Sequence, residues 1–357
     1  MNRADGLLQP AYSAAALREL PTLRDMCMRI GTEKPANTQG YGSGRWFPPD
    51  QNVADEFERY SNEFPPQYFH EGIQCVRQRA KALIEGENLE QLASYFRQRI
   101  EQGLPTSAIR LSDGEGNVLF ADEARYPALR DYVLAKISHI HFGRGSDDVP
   151  SNAELFLKNM QEAVAEADVI GVTDHRRIGR IFQRVPYDLD IRAATGERKG
   201  LATVIQLAEA NRLADKIIAD AFFSRLLLPH YPSILQPART IVLVTCHPDL
   251  VEPIQRISGV QDVRVVEVPL QSSQMKGNAN KHFPDAYRRI CREIPQQPTG
   301  AVFLIGAGPL AKYYCTLAKR AGGIALDVGA VMDFWIGRSG RARIKKETLE
   351  KWSLLKK

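Results

Sequence analysis

The sequence predicts an α/β protein with a Rossmann-like, mostly parallel sheet, helices on both faces of that sheet, and a helical N-terminal extension. From residue 105 onward, short apolar segments alternate with segments of helical periodicity, which is typical of a parallel sheet. The short segments are apolar throughout, as strands buried on both faces are. The predicted strands are SAIRLS, DVIGV, TIVLV, VRVVEV, AVFLI and IALDV.

The chain divides into three regions. Residues 1–104 are predicted to be a helical N-terminal region with a loop rich in glycine and proline at 35–50. Apolar residues of 53–103 recur at a spacing of three to four, which predicts helices there. Residues 105–338 form the predicted α/β domain, and residues 339–357 form a basic tail. The main helices predicted in the α/β domain cover 154–167, 202–229, 251–257, 283–294 and 310–323.

Composition indicates a soluble protein. The 357 residues are 44% hydrophobic and 25% charged, which is ordinary for globular proteins. The five cysteines form no C-x-x-C pair, so neither a disulfide scaffold nor a cysteine zinc site is supported, and a reducing cytoplasm is the expected compartment. The longest apolar runs, at 241–244 and 301–305, are far shorter than the ~20 residues of a membrane span, and no secretory signal is expected.

The net charge of +5 lies in the tail. Residues 338–357 contain eight basic and two acidic residues, so the rest of the chain is nearly neutral and is not a general nucleic-acid binder. Leu349, Trp352 and Leu355 share one side of a predicted helix with lysines around them. Such a helix either rests on anionic lipid, as a peripheral contact at the inner face of the membrane, or docks on its own domain.

Two carboxylates, Asp113 and Glu115, follow the first strand of the α/β domain. In a turn, acids one residue apart can both reach a hard divalent cation such as Mg²⁺ or Mn²⁺, and Gly114 between them lets the backbone bend. The segment therefore predicts a metal site, with a solvated acidic turn as the alternative.

A glycine turn links strand AVFLI to the next helix. Gly306, Gly308 and Ala311 match the pattern G-x-G-x-x-[GA], and Asp327 follows at the end of the next strand. Glycines let a diphosphate approach the backbone at a helix N-terminus, and the acid can bind a ribose. The pattern fits both NAD and a nucleotide sugar, and a plain strand-to-helix turn is the alternative.

Further polar residues follow other strands and should reach the same edge of the sheet. Asp174 and His175, with two arginines after them, could supply a general base and phosphate contacts, or they form an ordinary surface loop. Asp333 and Trp335 after the last strand could complete a sugar pocket, unless Trp335 packs in the core. Weaker candidates are Lys276, the neighbouring His282, His247, and a metal pair His139 and His141 that otherwise reads as ordinary strand residues.

Four segments, in this order, resemble the GT-D-type glycosyltransferases. They are Arg110–Glu115, EAVAEADVIGVTD, DAFFSR and LIGAGPLAKYYCTLAKRAGGIALDVGAVMDFW. The first is similar to the R-F-G-D-G-E segment of that family, with Leu111 in place of the aromatic residue and Ser112 in place of the first glycine. The resemblance covers residues 105–338 and leaves out the N-terminal region and the tail.

The resemblance implies a donor site for a nucleotide sugar, typically a UDP-sugar, and an acceptor hydroxyl on a glycan, a lipid-linked glycan or a protein. It places Mn²⁺ or Mg²⁺ at Asp113 and Glu115 and makes Arg110 a contact of the diphosphate. Gly306, Gly308, Asp327 and Lys276 are the other predicted donor contacts. The catalytic base does not transfer from the family, so Asp174, His175 and Asp333 are predicted from their position alone.

Two other functions remain open at this point. The glycine turn taken alone predicts an NAD(P)-dependent oxidoreductase, although it lies in the last βαβ unit rather than at the start of the fold. The chain could also be a non-catalytic module that binds a nucleotide sugar or a membrane surface.

Overall fold

A computed structural model describes residues 49–86, 89–143, 146–182, 188–270, 281–337 and 346–355. These residues contain one sheet of eight strands, and every strand pair in it is parallel. The predicted α/β class with a parallel sheet is therefore confirmed. The strands are β1 Ala82–Ile84, β2 Thr106–Leu111, β3 Val169–Val172, β4 Ile217–Asp220, β5 Thr240–Thr245, β6 Asp262–Glu267, β7 Val302–Ile305 and β8 Ile324–Asp327.

Helices connect these strands. The helices before β5 are α1 Gln51–Glu63, α2 Pro66–Arg79, α3 Glu90–Glu101, α4 Asp113–Leu119, α5 Pro127–Phe142, α6 Asp148–Ser151, α7 Ala153–Glu166, α8 His175–Phe182, α9 Asp188–Glu209, α10 Phe223–Leu226 and α11 Tyr231–Leu235. The later helices are α12 Val251–Ser258, α13 Tyr287–Glu293, α14 Ala311–Arg320, α15 Val331–Trp335 and α16 Lys346–Trp352.

The sheet has the order β1-β4-β3-β2-β8-β7-β5-β6, and both of its faces are covered. Along β7, Phe303 and Ile305 join the core on one face, whereas Val302 and Leu304 join the core on the other. We call the face covered by α2, α4, α7, α9 and α14 the first face, and the face covered by α3, α11, α12 and α15 the second face. Burial on both sides explains why the strands read as continuous apolar runs.

The N-terminal region contributes a strand to the sheet, which corrects the prediction of helices throughout 53–103. Helix α2 ends at Arg79, because Ala80 has extended backbone angles and Lys81 donates a hydrogen bond to Leu213 O. The next residues form β1, which pairs with β4 at the edge of the sheet. Ala80 and Leu83, two of the periodic apolar residues of 53–103, therefore lie beyond the helix. The predicted loop at 35–50 lies almost entirely outside the described residues.

The helix predicted over 202–229 is also wrong. Helix α9 ends at Glu209, and Asn211 follows in the left-handed region with φ of 56°. Asparagine is one of the residues that tolerate this conformation after a helix. Five further residues then lead into β4, so that Asp220 lies at the carboxyl end of the second strand of the sheet. His139 and His141 lie in α5 rather than in the strand that was expected.

The described part of the basic tail, residues 346–355, docks on the domain. Leu349 and Trp352 of α16 pack against the core of the second face, and Leu354 N donates to Trp335 O at 2.8 Å. This agrees with the docking alternative and covers part of the apolar stripe that a membrane contact would use, while Leu355 stays exposed. No helix in the described parts of the chain has the length and apolar character needed to cross a membrane.

Candidate functional site

The candidate site lies at the carboxyl edge of the sheet, where the topology opens two crevices. The chain leaves β2 toward the first face, through α4, and leaves the neighbouring β8 toward the second face, through α15. In the same way, α12 after β5 lies on the second face and α14 after β7 lies on the first. Ligands of open α/β sheets bind where connections from adjacent strands diverge in this way.

Four buried charges connect β2, β8 and the helices beside them. Arg110 on β2 makes a bidentate contact with Asp327 on β8, with Nε to Oδ2 at 3.2 Å and Nη2 to Oδ1 at 3.1 Å. Lys312 on α14 contacts Asp327 Oδ2 at 2.9 Å and also donates to Glu115 Oε1. Burial alone would raise the pKa of Asp327, but Arg110 and Lys312 hold it below its usual value. We call these four residues, Arg110, Glu115, Lys312 and Asp327, the buried charge network.

Arg110 can reach Asp327 only because Gly329 has no side chain. A Cβ atom at Gly329 would lie 2.1 Å from Arg110 Nη2, and the residue has φ of +51°, which favours glycine. The turn after β8 is thus shaped around the guanidinium group.

The D-x-E segment forms the first turn of α4, not the bent turn that was predicted. Ser112 N donates to Glu115 Oε2 at 3.0 Å and the Ser112 side chain accepts from the Glu115 backbone N–H, which together form a capping box. Ser112 Oγ also donates to Glu115 Oε2 at 2.7 Å. Ser112 therefore has a structural function at the position where it departs from the family pattern. Gly116 serves packing, because a Cβ atom there would lie 1.7 Å from Gly196 O on α9.

The helical conformation separates the two acids of the D-x-E segment. Residues two apart on a helix do not face each other. Asp113 Oδ2 contacts Arg192 on α9 at 2.8 Å, whereas both oxygens of Glu115 are bound by Lys312 and Ser112. The two carboxylates therefore do not fit a shared divalent cation in this conformation. Among the described residues, no group of three histidines, cysteines or acids could hold a metal ion.

The glycine turn contacts protein on both sides. A Cβ atom at Gly306 would lie 3.2 Å from Met332 Sδ, and one at Gly308, with φ of +59°, would lie 3.2 Å from His141 Nδ1. Asp327, the predicted ribose ligand, has no exposed side-chain area and is bound by Arg110 and Lys312. A ribose hydroxyl cannot reach it in this conformation, so the dinucleotide fingerprint matches in sequence but not in the exposure of its acid.

His141 lies between the glycine turn and α4, and is neutral. Burial lowers the pKa of His141 to about 4, against the effect of Glu115 nearby. His282, from the chain after β6, donates or accepts a hydrogen bond with Tyr314 Oη at 2.9 Å, and burial lowers its pKa to about 3. Lys276, the other residue predicted from this region, lies outside the described residues.

Asp333 contacts His247 at the second crevice. His247 Nε2 lies 3.3 Å from Asp333 Oδ1 and 3.4 Å from Cys246 Sγ. Burial alone would lower the pKa of His247, but the hydrogen bonds with Asp333 and Cys246 raise it to about 9. His247 is therefore an imidazolium at neutral pH, and Asp333 is its counter-ion. Trp335 is buried in the core and packs edge-on against Tyr231, so the packing alternative for it is the one observed.

Asp174 and His175 form a pair at the carboxyl end of β3. His175 Nδ1 lies 3.3 Å from Asp174 Oδ1, and burial lowers the pKa of His175. Asp333 contacts His247, which follows β5, and β5 lies four strand spacings, about 19 Å, from β3. The structure therefore does not bring Asp174 and His175 together with Asp333. Beside the pair, Arg177 contacts Glu197 on α9 at 2.8 Å, and burial raises the pKa of Glu197 to about 7.

The sequence analysis missed Lys312, Arg192 and Glu197. All three lie on helices, where charged residues usually face solvent, so periodicity gave no sign of their position at the site. A cation at the second position of a helix that follows a glycine turn was the available signal for Lys312.

No protein-family model and no curated protein matches the chain. Two solved structures are similar to it, each at 12% sequence identity. One is described as a selenomethionine-substituted structure of domain of unknown function 1792, and it aligns with a TM-score of 0.42 over 75% of this chain and 86% of its own. The other is described as that domain having a distinct glycosyltransferase fold, and it aligns with a TM-score of 0.40 over 72% of this chain and 82% of its own. Similarity at this level assigns no activity to the chain.

Proposed function

We propose that the chain is a glycosyltransferase that takes a sugar from a nucleotide-sugar donor, of the UDP-sugar class, and transfers it to an acceptor hydroxyl. One observation carries the proposal. Two segments that resemble the GT-D-type enzymes, one with Arg110 and Glu115 and the other with Lys312 and Asp327, meet in one buried charge network at the carboxyl edge of the sheet.

The donor diphosphate needs positive charge beside it when the glycosyl–phosphate bond breaks. Arg110 near the carboxyl end of β2 and Arg192 on α9 supply guanidinium groups for this purpose, and their side chains keep 14% and 11% of their area exposed. The burial of Asp327 speaks against the dinucleotide fingerprint on which the oxidoreductase alternative depends, and it also removes Asp327 as a ribose contact of the proposed nucleotide-sugar donor.

His175 is the proposed general base. Burial lowers the pKa of His175, which favours the neutral imidazole that a base requires, and Asp174 Oδ1 lies 3.3 Å from Nδ1, where its charge can orient the ring. Strand β3 lies next to β2, so Asp174 and His175 follow a strand end at the same edge of the sheet as Arg110. Asp333, which the sequence analysis also named, is the counter-ion of His247 instead.

Thermal shift with UDP-, GDP- and TDP-sugars and with NAD(P)H tests the donor class. A rise with one nucleotide sugar supports the proposal, and a rise with NAD(P)H alone contradicts it. With the donor known, His175→Asn should lower kcat for transfer without changing donor affinity. The matched control is His70→Asn, an exposed histidine whose ring lies 5.8 Å from that of His175. Equal activity of both variants would remove His175 from the mechanism.

A further inference from the structure

The ammonium group of Lys312 occupies a cage of oxygen atoms. Asp327 Oδ2 lies 2.9 Å from Nζ and Gly308 O lies 3.3 Å from it, while Glu115 Oε1 accepts a shorter hydrogen bond. The Lys312 side chain is 1% exposed. Two carboxylate oxygens and a backbone carbonyl are also the ligands that hard divalent cations take in proteins.

The charges at this position are already balanced. Lys312 and Arg110 carry two positive charges, and Glu115 and Asp327 carry two negative charges. A divalent cation added here would leave excess positive charge in a buried site, which is strongly unfavourable. The other carboxylate of the D-x-E segment, Asp113, contacts Arg192 instead.

We propose that the Lys312 ammonium group takes the place of a divalent cation beneath the D-x-E segment, so that Asp113 and Glu115 bind no Mn²⁺ or Mg²⁺ in this chain. The inference deepens the proposed function, because it makes donor binding independent of metal and leaves the diphosphate to arginine side chains. Its first test uses the metal alone and does not depend on that function.

The first test is a titration with Mn²⁺ followed by electron paramagnetic resonance. The intensity of the signal of free Mn²⁺ falls when the ion binds to the protein. The full-length wild-type protein should leave the free-ion signal unchanged, and Glu115→Gln should do the same. Lys312→Ala should bind Mn²⁺, because it opens the cage and leaves it with net negative charge. Lys319→Ala, on the same helix and paired with Asp168 at 2.8 Å, is the matched control and should bind none.

Loss of free-ion signal in wild type that Glu115→Gln or Asp113→Asn abolishes would overturn the inference. A folded Lys312→Ala protein that binds no Mn²⁺ would also overturn it, since the three oxygens would then not form a cation cage. If Lys312→Ala does not fold, the titrations of wild type and Glu115→Gln still show whether the D-x-E segment binds Mn²⁺.

A second test links the inference to the donor. UDP should raise the unfolding temperature of the wild-type protein equally in Mn²⁺ and in EDTA. A rise that requires Mn²⁺ and is lost in Asp113→Asn would overturn the inference. Absence of any rise with UDP would contradict the proposed UDP-sugar donor and leave the Mn²⁺ titration to judge the role of Lys312.

Discussion

The two glycines of the D-G-E-G segment should respond in opposite ways to alanine. A Cβ atom at Gly116 would lie 1.7 Å from Gly196 O, and that oxygen belongs to the backbone of α9 and cannot rotate away. Helices α4 and α9 would have to move apart until this distance exceeds 3.0 Å. Gly114 is different, because its nearest neighbours would be Ile137 Cδ1 at 3.7 Å and His141 Nε2 at 3.8 Å, which is ordinary contact.

The magnitudes follow from these distances. Overpacking of a rigid contact costs about 3 kcal/mol, and alanine regains about 1 kcal/mol over glycine within a helix. Gly116→Ala should therefore lower the free energy of unfolding by about 2 kcal/mol. Gly114→Ala loses no contact and should raise the free energy of unfolding by up to about 1 kcal/mol.

Urea unfolding followed by circular dichroism measures both variants against wild type. The reasoning is refuted if Gly116→Ala is as stable as wild type, because α4 would then not pack on α9 through this glycine. It is also refuted if Gly114→Ala is as unstable as Gly116→Ala, because Gly114 would then be required for a bent turn, as the sequence alone suggested.

Three further changes test other parts of the molecule. Asp327→Asn leaves two buried cations facing one carboxylate and should lower the free energy of unfolding by about 3 kcal/mol or more. The control Asp262→Asn, which breaks an exposed pair with Arg264, should lower it by less than about 1 kcal/mol. Urea unfolding compares the two variants, and equal losses would contradict the buried charge network. In Asp333→Asn, NMR titration should show the pKa of His247 falling from about 9 toward 6.5. Because that pKa is raised in the folded protein, the stabilisation by the pair is complete below pH 6.5 and is lost as the pH rises toward 9. The free energies of unfolding of wild type and variant should therefore differ more at pH 6.5 than at pH 9. The same difference at both pH values would contradict the pairing. Trp352→Ala should lower the free energy of unfolding in urea by about 2 kcal/mol, since the ring is only half-buried. A smaller decrease than that of Leu355→Ala, at an exposed residue of the same segment, would show that α16 does not dock.

The strands with long apolar runs were predictable from the sequence, and the short ones were not. The strand TIVLVT, six buried residues, has no helical reading that fits its length. By contrast, Ala82–Ile84 and Ile217–Asp220 are three and four residues long, and each follows a helical segment whose apolar spacing it continues. Their pairing with distant parts of the chain makes them strands: β1 pairs with β4 across more than 130 residues, and β4 also pairs with β3.

The edge of the sheet that carries the site was predictable, but the partners within it were not. Arg110, Glu115 and Asp327 follow or end strands, and parallel strands bring their carboxyl ends together. Lys312 lies 197 residues from Glu115, and no local pattern pairs them. The charge network therefore depends on the packing of α14 against β2 and β8, which a single sequence does not contain.

The D-x-E segment shows how one short pattern can serve two kinds of chemistry. In an extended strand or a bent turn, residues two apart lie on one side, so both acids can bind one cation. In a helix the same two residues point apart, and each acid needs its own partner. Here Ser112 caps the helix through Glu115, Gly116 lets α9 approach, and Lys312 supplies the positive charge that Glu115 requires. The residues that surround the motif, rather than the motif itself, therefore decide whether it holds a metal ion or an ammonium group.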